Sequence, residues 1–173
     1  MSGRQKGFTL IELLVVISII GVLSTIAMTS LNGARIKAKQ ARIETNFDNF
    51  SKAVIVGEQE QNKTLMQITG SGCTRCSGSC TGRDLRNVST TDSCYTAWAS
   101  ALSKIEAASS GAISGLLTVM ARDPWGSPYI LDENEGESSS SPCRLDAFSS
   151  AGPDGMVSTA DDIDFTLPFF LCS

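Results

Sequence analysis

A chain of 173 residues is long enough for one compact domain and a long helix, and too short for two full domains. It has no His, which excludes His-dependent catalytic triads and His-ligated zinc. The formal charge of −4 is unevenly spread: Met1 to Lys52 holds seven bases against three acids, and from Asp123 onward ten acids face Arg144 alone.

From Gly7 the chain is apolar as far as Met28, and Glu12 is the one charged residue within that run. About 20 apolar residues cross a bilayer as a helix. A carboxylate at mid-bilayer costs about 2.5–3.5 kcal/mol, so Glu12 requires a specific partner. Arg4 and Lys6 precede Gly7 with no acid among them, which keeps the N-terminus on the cytoplasmic side. A secretory signal peptide has a shorter apolar core, about 7–15 residues, and a small-residue cut site, for which Thr25-Ile26-Ala27 is a poor match. A plain anchor explains the length of the run but not an acid in this register.

Lys6-Gly7-Phe8-Thr9-Leu10-Ile11-Glu12-Leu13-Leu14-Val15-Val16 resembles the N-terminal signal of type IV pilins and pseudopilins. The resemblance implies a leader of residues 1–7, cut after Gly7 by the prepilin peptidase, which then methylates Phe8. It also implies that Glu12 is the assembly residue, neutralising the Phe8 amino group of a neighbouring subunit in a filament. Physical chemistry agrees, because a carboxylate and an ammonium stripped of water offset one another's desolvation only when paired. The implied partners are copies of the same chain, the prepilin peptidase, an inner-membrane assembly platform and, before assembly, membrane lipid. Losing Arg4 and Lys6 takes the side-chain charge from −4 to −6.

Beyond the membrane run, Ile36, Ile43, Phe47, Phe50 and Val54 recur at helical spacing. Neither Gly nor Pro interrupts Ala34 to Val56, and Gly57 lies where the pattern fades. One helix is therefore expected from Phe8 to about Gln61, with residues 8–28 in the membrane or filament core and residues 29–61 amphipathic. The stripe reads as the face that packs on a head domain. Many type IV pilins carry a Pro where this chain has Ala27-Met28-Thr29-Ser30; Gly21, Gly33 and the nearby hydroxyl residues leave room for local melting within a filament. Arg35, Lys37, Lys39 and Arg42 form a basic cluster outside the membrane. It lacks the interleaved aromatics of a single-strand nucleic-acid surface and reads as a solvated face pairing with acids or lipid headgroups, so nucleic acid is not an expected partner.

Residues 62–173 form the expected head, with a Cys-rich insertion at 70–95. Cys73, Cys76, Cys80 and Cys94 have the spacing C-x2-C-x3-C-x13-C, which four-thiolate zinc could use. An extracytoplasmic location and an even total of six, with Cys143 and Cys172, favour disulfides instead. A Cys143–Cys172 bond would tie down the C-terminus. Asn62-Lys63-Thr64 and Asn87-Val88-Ser89 match the glycosylation pattern, a motif short enough to arise by chance. Asp92 or Ser93 should cap a helix reaching about Ala108, with Tyr95, Trp98, Leu102 and Ile105 on one face. A Ser/Gly/Ala stretch, Ser109 to Gly115, and a short apolar piece, Leu116 to Met120, follow.

Asp123-Pro124-Trp125-Gly126-Ser127-Pro128-Tyr129 reads as a rigid turn, with two prolines fixing φ and two aromatics burying area. It resembles a motif of the major pseudopilins of type II secretion. Tyr129 to Asp132 and Arg144 to Ser149 read as antiparallel strands, joined by an acidic, Ser-rich loop from Glu133 to Pro142 with no recognisable site. In the loop at 149–163, Asp154, Asp161 and Asp162 crowd together between Gly152, Gly155 and Ile163. Hard cations such as Ca²⁺ take six to eight oxygens, and crowded carboxylates repel one another without one. The loop resembles the calcium loop of major pseudopilins. That resemblance implies side-chain ligands from Asp154, Asp161 and Asp162, and carbonyls near Ser149 and Met156.

The expected fold is α+β: a long N-terminal helix, its first half membrane-spanning, packed on a small antiparallel sheet. The expected function is that of a non-enzymatic filament subunit, of a type IV pilus or a secretion pseudopilus, with its head outside the cytoplasm. The alternatives are a minor pilin that binds a surface or DNA, and a monomeric membrane-anchored calcium-binding protein.

Overall fold

The structure, a computed structural model, describes residues 7–70, 73–75 and 78–172, without the side chains of residues 27 and 29. The leader bases Arg4 and Lys6, and Cys76, lie outside the described residues. The chain divides into two compact units, Met1–Gln40 and Ala41–Ser173.

The first unit is the N-terminal part of helix α1, Leu10–Gln61, which is long and apolar enough to cross a membrane. Gly21 and Gly33 do not interrupt it. Its hydroxyls are satisfied within the helix: Ser18 donates to the Val15 carbonyl, Ser24 to that of Ile20 and Thr25 to that of Val22, each at 2.7 Å. Such bonds remove the penalty of a bare hydroxyl in lipid. The large apolar side chains from Phe8 to Leu31 are all exposed in the single chain, a surface that lipid or neighbouring subunits must cover.

The second unit begins where the amphipathic stripe starts to pack. Ile43, Phe50 and Val54 are buried, whereas Ile36, on the same stripe, is 46% exposed. Helix α1 ends in a Schellman arrangement: Asn62 takes the left-handed conformation (φ 51°) and the Lys63 N–H bonds the Glu58 carbonyl at 3.2 Å. Thr64 then caps the short α2, Leu65–Thr69, in a capping box with Gln67. The glycosylation-like triplet at 62–64 is thus a helix stop followed by a helix start.

Helix α3, Ser93–Ala108, starts at Asp92, whose carboxylate accepts the Cys94 N–H at 2.9 Å and both ends of the Arg83 guanidinium at 2.9 and 2.6 Å. Near its other end Glu106 accepts the Gly115 and Leu116 N–H groups, which caps α4, Leu116–Met120. The sheet has the order β1-β2-β3, all antiparallel: β1 Ile130–Asp132, β2 Ala147–Ser150 and β3 Ile163–Thr166. The first two lie close to the expected strands. The third was not expected, because the acidic loop was read as running through Ile163 with no strand after it.

Phe148, at the centre of β2, stands opposite Leu131 and Phe165 and stacks on Phe50 (4.9 Å) and Tyr129 (4.7 Å). Trp98 lies against Phe50 and Tyr129 at 5.5 and 5.8 Å and donates its indole N–H to the Met120 carbonyl at 2.7 Å. The spine helix, α3 and the sheet therefore share one aromatic core; truncating any of these rings typically costs about 3–5 kcal/mol.

Cys143 is bonded to Cys172, the pair expected from the sequence, and Cys80 to Cys94; Cys73 is also disulfide-bonded. A four-thiolate zinc site in the insertion is thereby excluded, since its Cys80 and Cys94 sulfurs are consumed. Cys80, Leu85 and Cys94 pack with Ile130, Ala151 and Val157 in a second small core, which seats the insertion on the acidic loop.

Candidate functional site

The N-terminal unit carries Gly7, Phe8 and Glu12, the residues expected from the sequence to serve processing and assembly. Gly7 has open space around it, and Phe8 is exposed. Thr9 and Glu12 form a capping box at the start of α1: Glu12 Oε2 accepts the Thr9 N–H at 2.9 Å and the Thr9 hydroxyl at 2.7 Å. The Thr9 hydroxyl in turn faces the Glu12 N–H at 3.4 Å. Within one chain Glu12 serves its own helix end, and both of the bonds it accepts from Thr9 fall on Oε2.

In the head, the loop between β2 and β3 folds its acids around a hydroxyl. Thr159 Oγ1 lies 2.7 Å from Asp161 Oδ1, 3.2 Å from Asp162 Oδ1, 3.4 Å from Asp154 Oδ1 and 3.1 Å from the Met156 carbonyl. A hydroxyl has one proton to give, so Thr159 satisfies at most one of these four oxygens at a time. The inner oxygens of Asp161 and Asp162 therefore compete for that proton, an arrangement that a cation relieves. Backbone donors fix the three carboxylates: Asp154 N–H to Asp161 Oδ2 (3.0 Å), Met156 N–H to Asp154 Oδ1 (2.7 Å) and Ser158 N–H to Asp162 Oδ2 (2.7 Å). The hydrogen bond from Thr159, followed by that from the Asp154 backbone, holds the Asp161 carboxyl below the usual range, so it is ionised at neutral pH.

The structure brings Asp154, Asp161, Asp162 and the Met156 carbonyl together. Ser149 is placed differently: it lies in β2 opposite Ile130 and Asp164, and its hydroxyl donates to Asp164 at 2.5 Å. Thr159, the residue at the centre of the cluster, was not singled out from the sequence; a Thr between Asp154 and the Asp161-Asp162 pair was the available signal.

Two neighbouring segments brace the loop. Leu85 N–H bonds the Gly155 carbonyl at 2.8 Å, and Arg86, clamped by Asp84, donates to the Pro153 carbonyl at 3.0 Å. From the other side, the buried Asp123 accepts the Trp125 and Ser127 N–H groups at 2.9 Å each and the Ser150 hydroxyl at 2.6 Å. The Gly152 N–H bonds that same Ser150 hydroxyl at 3.3 Å. The turn at 123–129 and the acidic loop are therefore one hydrogen-bonded assembly, which explains physically why the two motifs occur together.

Residues 2–28 match the model of the prokaryotic N-terminal methylation motif. Over 161 residues the chain is 30% identical to the type II secretion system core protein G of Pectobacterium carotovorum subsp. carotovorum, covering 92% of this chain and 83% of that protein. It is 29% identical over 160 residues to the protein of the same name from Klebsiella pneumoniae, covering 92% and 93%. The corresponding protein of Escherichia coli strain K12 is 27% identical over 162 residues, covering 94% and 91%. No solved structure is significantly similar. With a methylation-motif N-terminus, a long apolar helix and a small antiparallel head matched along nearly the whole length of these relatives, the chain belongs to the type II secretion system core protein G family.

Proposed function

We propose that this chain is a structural subunit of a type II secretion pseudopilus. It is cleaved after Gly7, methylated at Phe8 and polymerised through α1, with its head outside the inner membrane. The observation that supports this best is the coincidence of the methylation motif with a Glu12 that caps its own helix through Oε2 and with an exposed Phe8. In the filament the Glu12 carboxylate takes the Phe8 ammonium of the adjacent subunit, and burial of the exposed apolar helix supplies the cohesion. The work of the protein is mechanical and non-enzymatic.

The loop residues fit Ca²⁺, with Asp154, Asp161, Asp162 and the Met156 carbonyl as ligands and Thr159 holding the carboxylates in place. When bound, the ion would neutralise the cluster and couple head stability to calcium by mass action.

The test is assembly. The chain is produced together with its host's secretion machinery, and sheared surface filaments are imaged by electron microscopy. The wild-type chain is expected to form filaments; Glu12→Ala is expected to remain in the membrane with an unaltered head melting temperature. Filaments of normal yield from Glu12→Ala would sink the reading.

A further inference from the structure

The head holds a second group of acids, far less exposed than those of the loop. Glu58 near the end of α1, Glu135 between β1 and β2, and Asp146 just before β2 each bring one carboxylate oxygen within 4.8 Å of the others. They are 3%, 1% and 4% exposed respectively. Among the described residues, none of the three is in an ion pair. The charges acting on Glu58 are those of Asp146 and Glu135, and those acting on Asp146 are Glu135 and Asp132, all negative.

Backbone donors fix how these acids point. Glu58 Oε1 accepts the Leu65 N–H at 2.9 Å, and Asp146 Oδ1 accepts the Asn134 and Glu135 N–H groups at 2.5 and 2.8 Å. Glu135 takes the N–H groups of Phe170, Leu171 and Cys172 at 2.8, 2.8 and 3.1 Å. An independent feature lies alongside: Glu133 is 2% exposed, and the charge of Asp146 acts on it. Thr69 holds Glu133 Oε1 at 2.6 Å, while, among the described residues, no hydrogen-bond partner reaches its buried Oε2. A buried, unpartnered carboxylate oxygen costs several kcal/mol unless a proton or a cation meets it.

We propose that Glu58, Glu135 and Asp146, with Glu133 beside them, form a second cation site inside the head, built for a hard divalent ion of the Ca²⁺ class. The ligand type points to the ion class: Ca²⁺ takes six to eight oxygens from carboxylates and carbonyls in flexible geometry, whereas Mg²⁺ keeps several of its waters and is held by one or two carboxylates. The donor set is oxygen only, which disfavours zinc and copper: the chain has no His, and the nearby Cys172 sulfur is bonded to Cys143. The loop acids at 154–162 gather around a hydroxyl; among the described residues, the group whose oxygens close to 4.8 Å is this buried one. An ion here would join the end of the spine helix, the segment between β1 and β2 and the start of β2. Through Glu135 it would also hold the C-terminal segment that the Cys143–Cys172 bond closes.

The two sites are separated by counting ions. The processed full-length chain in detergent micelles is stripped with EDTA, dialysed against Ca²⁺ and assayed for bound metal, as wild type, as D161N/D162N and as E58Q/D146N. Two ions are expected in the wild type and one in each double variant. If the loop reading alone fails, the wild type binds one ion, kept in D161N/D162N and lost in E58Q/D146N. A D161N/D162N chain that binds none, or an E58Q/D146N chain with the wild-type count, overturns the proposal. Should E58Q/D146N not fold, Glu133→Gln in the D161N/D162N background decides the matter, since it alters an oxygen with no hydrogen-bond partner among the described residues. An affinity loss of about tenfold is expected there, and unchanged affinity refutes the site.

Discussion

Glu12 and Thr9 cap the spine helix together: one carboxylate oxygen of Glu12 accepts both the N–H and the hydroxyl of Thr9, at 2.9 and 2.7 Å. The acid proposed to pair between subunits is therefore already oriented within one subunit. Pre-orientation matters because a long side chain otherwise loses rotamer freedom when it pairs, up to about 2 kcal/mol. Thr9→Val removes the hydroxyl and leaves the backbone bond. The cap should weaken by about 1 kcal/mol, read as faster amide exchange at residues 10–12 in micelles, with filament yield reduced but not abolished. Amide exchange identical to wild type would mean the capping box contributes nothing.

Gly152 is the tightest point of the acidic loop. Its φ is 63°, and a Cβ there would stand 2.3 Å from the Asp161 carbonyl oxygen. Gly152→Ala should force that backbone apart, at a cost of about 1–3 kcal/mol, and disperse the carboxylates around Thr159. Thermal melts with and without Ca²⁺ measure both effects: a lower melting temperature, and a smaller gain on adding calcium.

Burial pushes the Glu58 carboxyl up to about 8 from an ordinary value of 4.5, and Asp146 and Glu133 shift in the same direction for the same reason. A raised carboxyl pKa means that the folded head retains a proton which the unfolded chain releases. Stability from this source is complete below about pH 4.5 and falls as pH rises to about 8, beyond which the loss is constant. In EDTA, urea midpoints should decline across that window, and Glu58→Gln should flatten the decline. In the D161N/D162N background, which lacks the loop acids, adding Ca²⁺ at pH 8 should raise the midpoint, and a further Glu58→Gln should leave it nearly unmoved.

The Cys143–Cys172 bond closes a chain segment with a separation of 29 residues. Loop-closure entropy over that length is worth about 3–4 kcal/mol. The C143S/C172S variant should lose much of this in urea unfolding. It should still show slow exchange at the N–H groups of residues 170–172, because their bonds to Glu135 do not depend on the sulfurs. Rapid exchange there would show that the disulfide alone fixes the C-terminus.

Much of this molecule was legible because its signals are local and periodic. The apolar run fixes the membrane helix, the steps from Ile43 to Val54 fix the buried face, and Asp92 marks the start of α3 within a residue. Strand β3 escaped because Ile163-Asp164-Phe165-Thr166 alternates over only four residues directly after an acidic loop, and its pairing with β2 is set by tertiary contact. From the sequence, Glu133 and Glu135 belong to an acidic, Ser-rich loop with no recognisable site. Their burial depends on backbone donors 35–37 residues further along and on Thr69 from another helix, information that no local window contains. The Cys143–Cys172 pair could be guessed as a tie for the C-terminus. Pairing Cys80 with Cys94 required knowing that the insertion folds back beneath Leu85 and Ile130.

The central claim, a subunit processed for polymerisation through Phe8 and Glu12, is tested most directly by the intact mass and N-terminal sequence of the protein from its native host. A chain beginning at N-methylated Phe8 is the predicted result. A chain that still begins at Met1 would contradict it, leaving Glu12 as a helix cap in an ordinary membrane anchor.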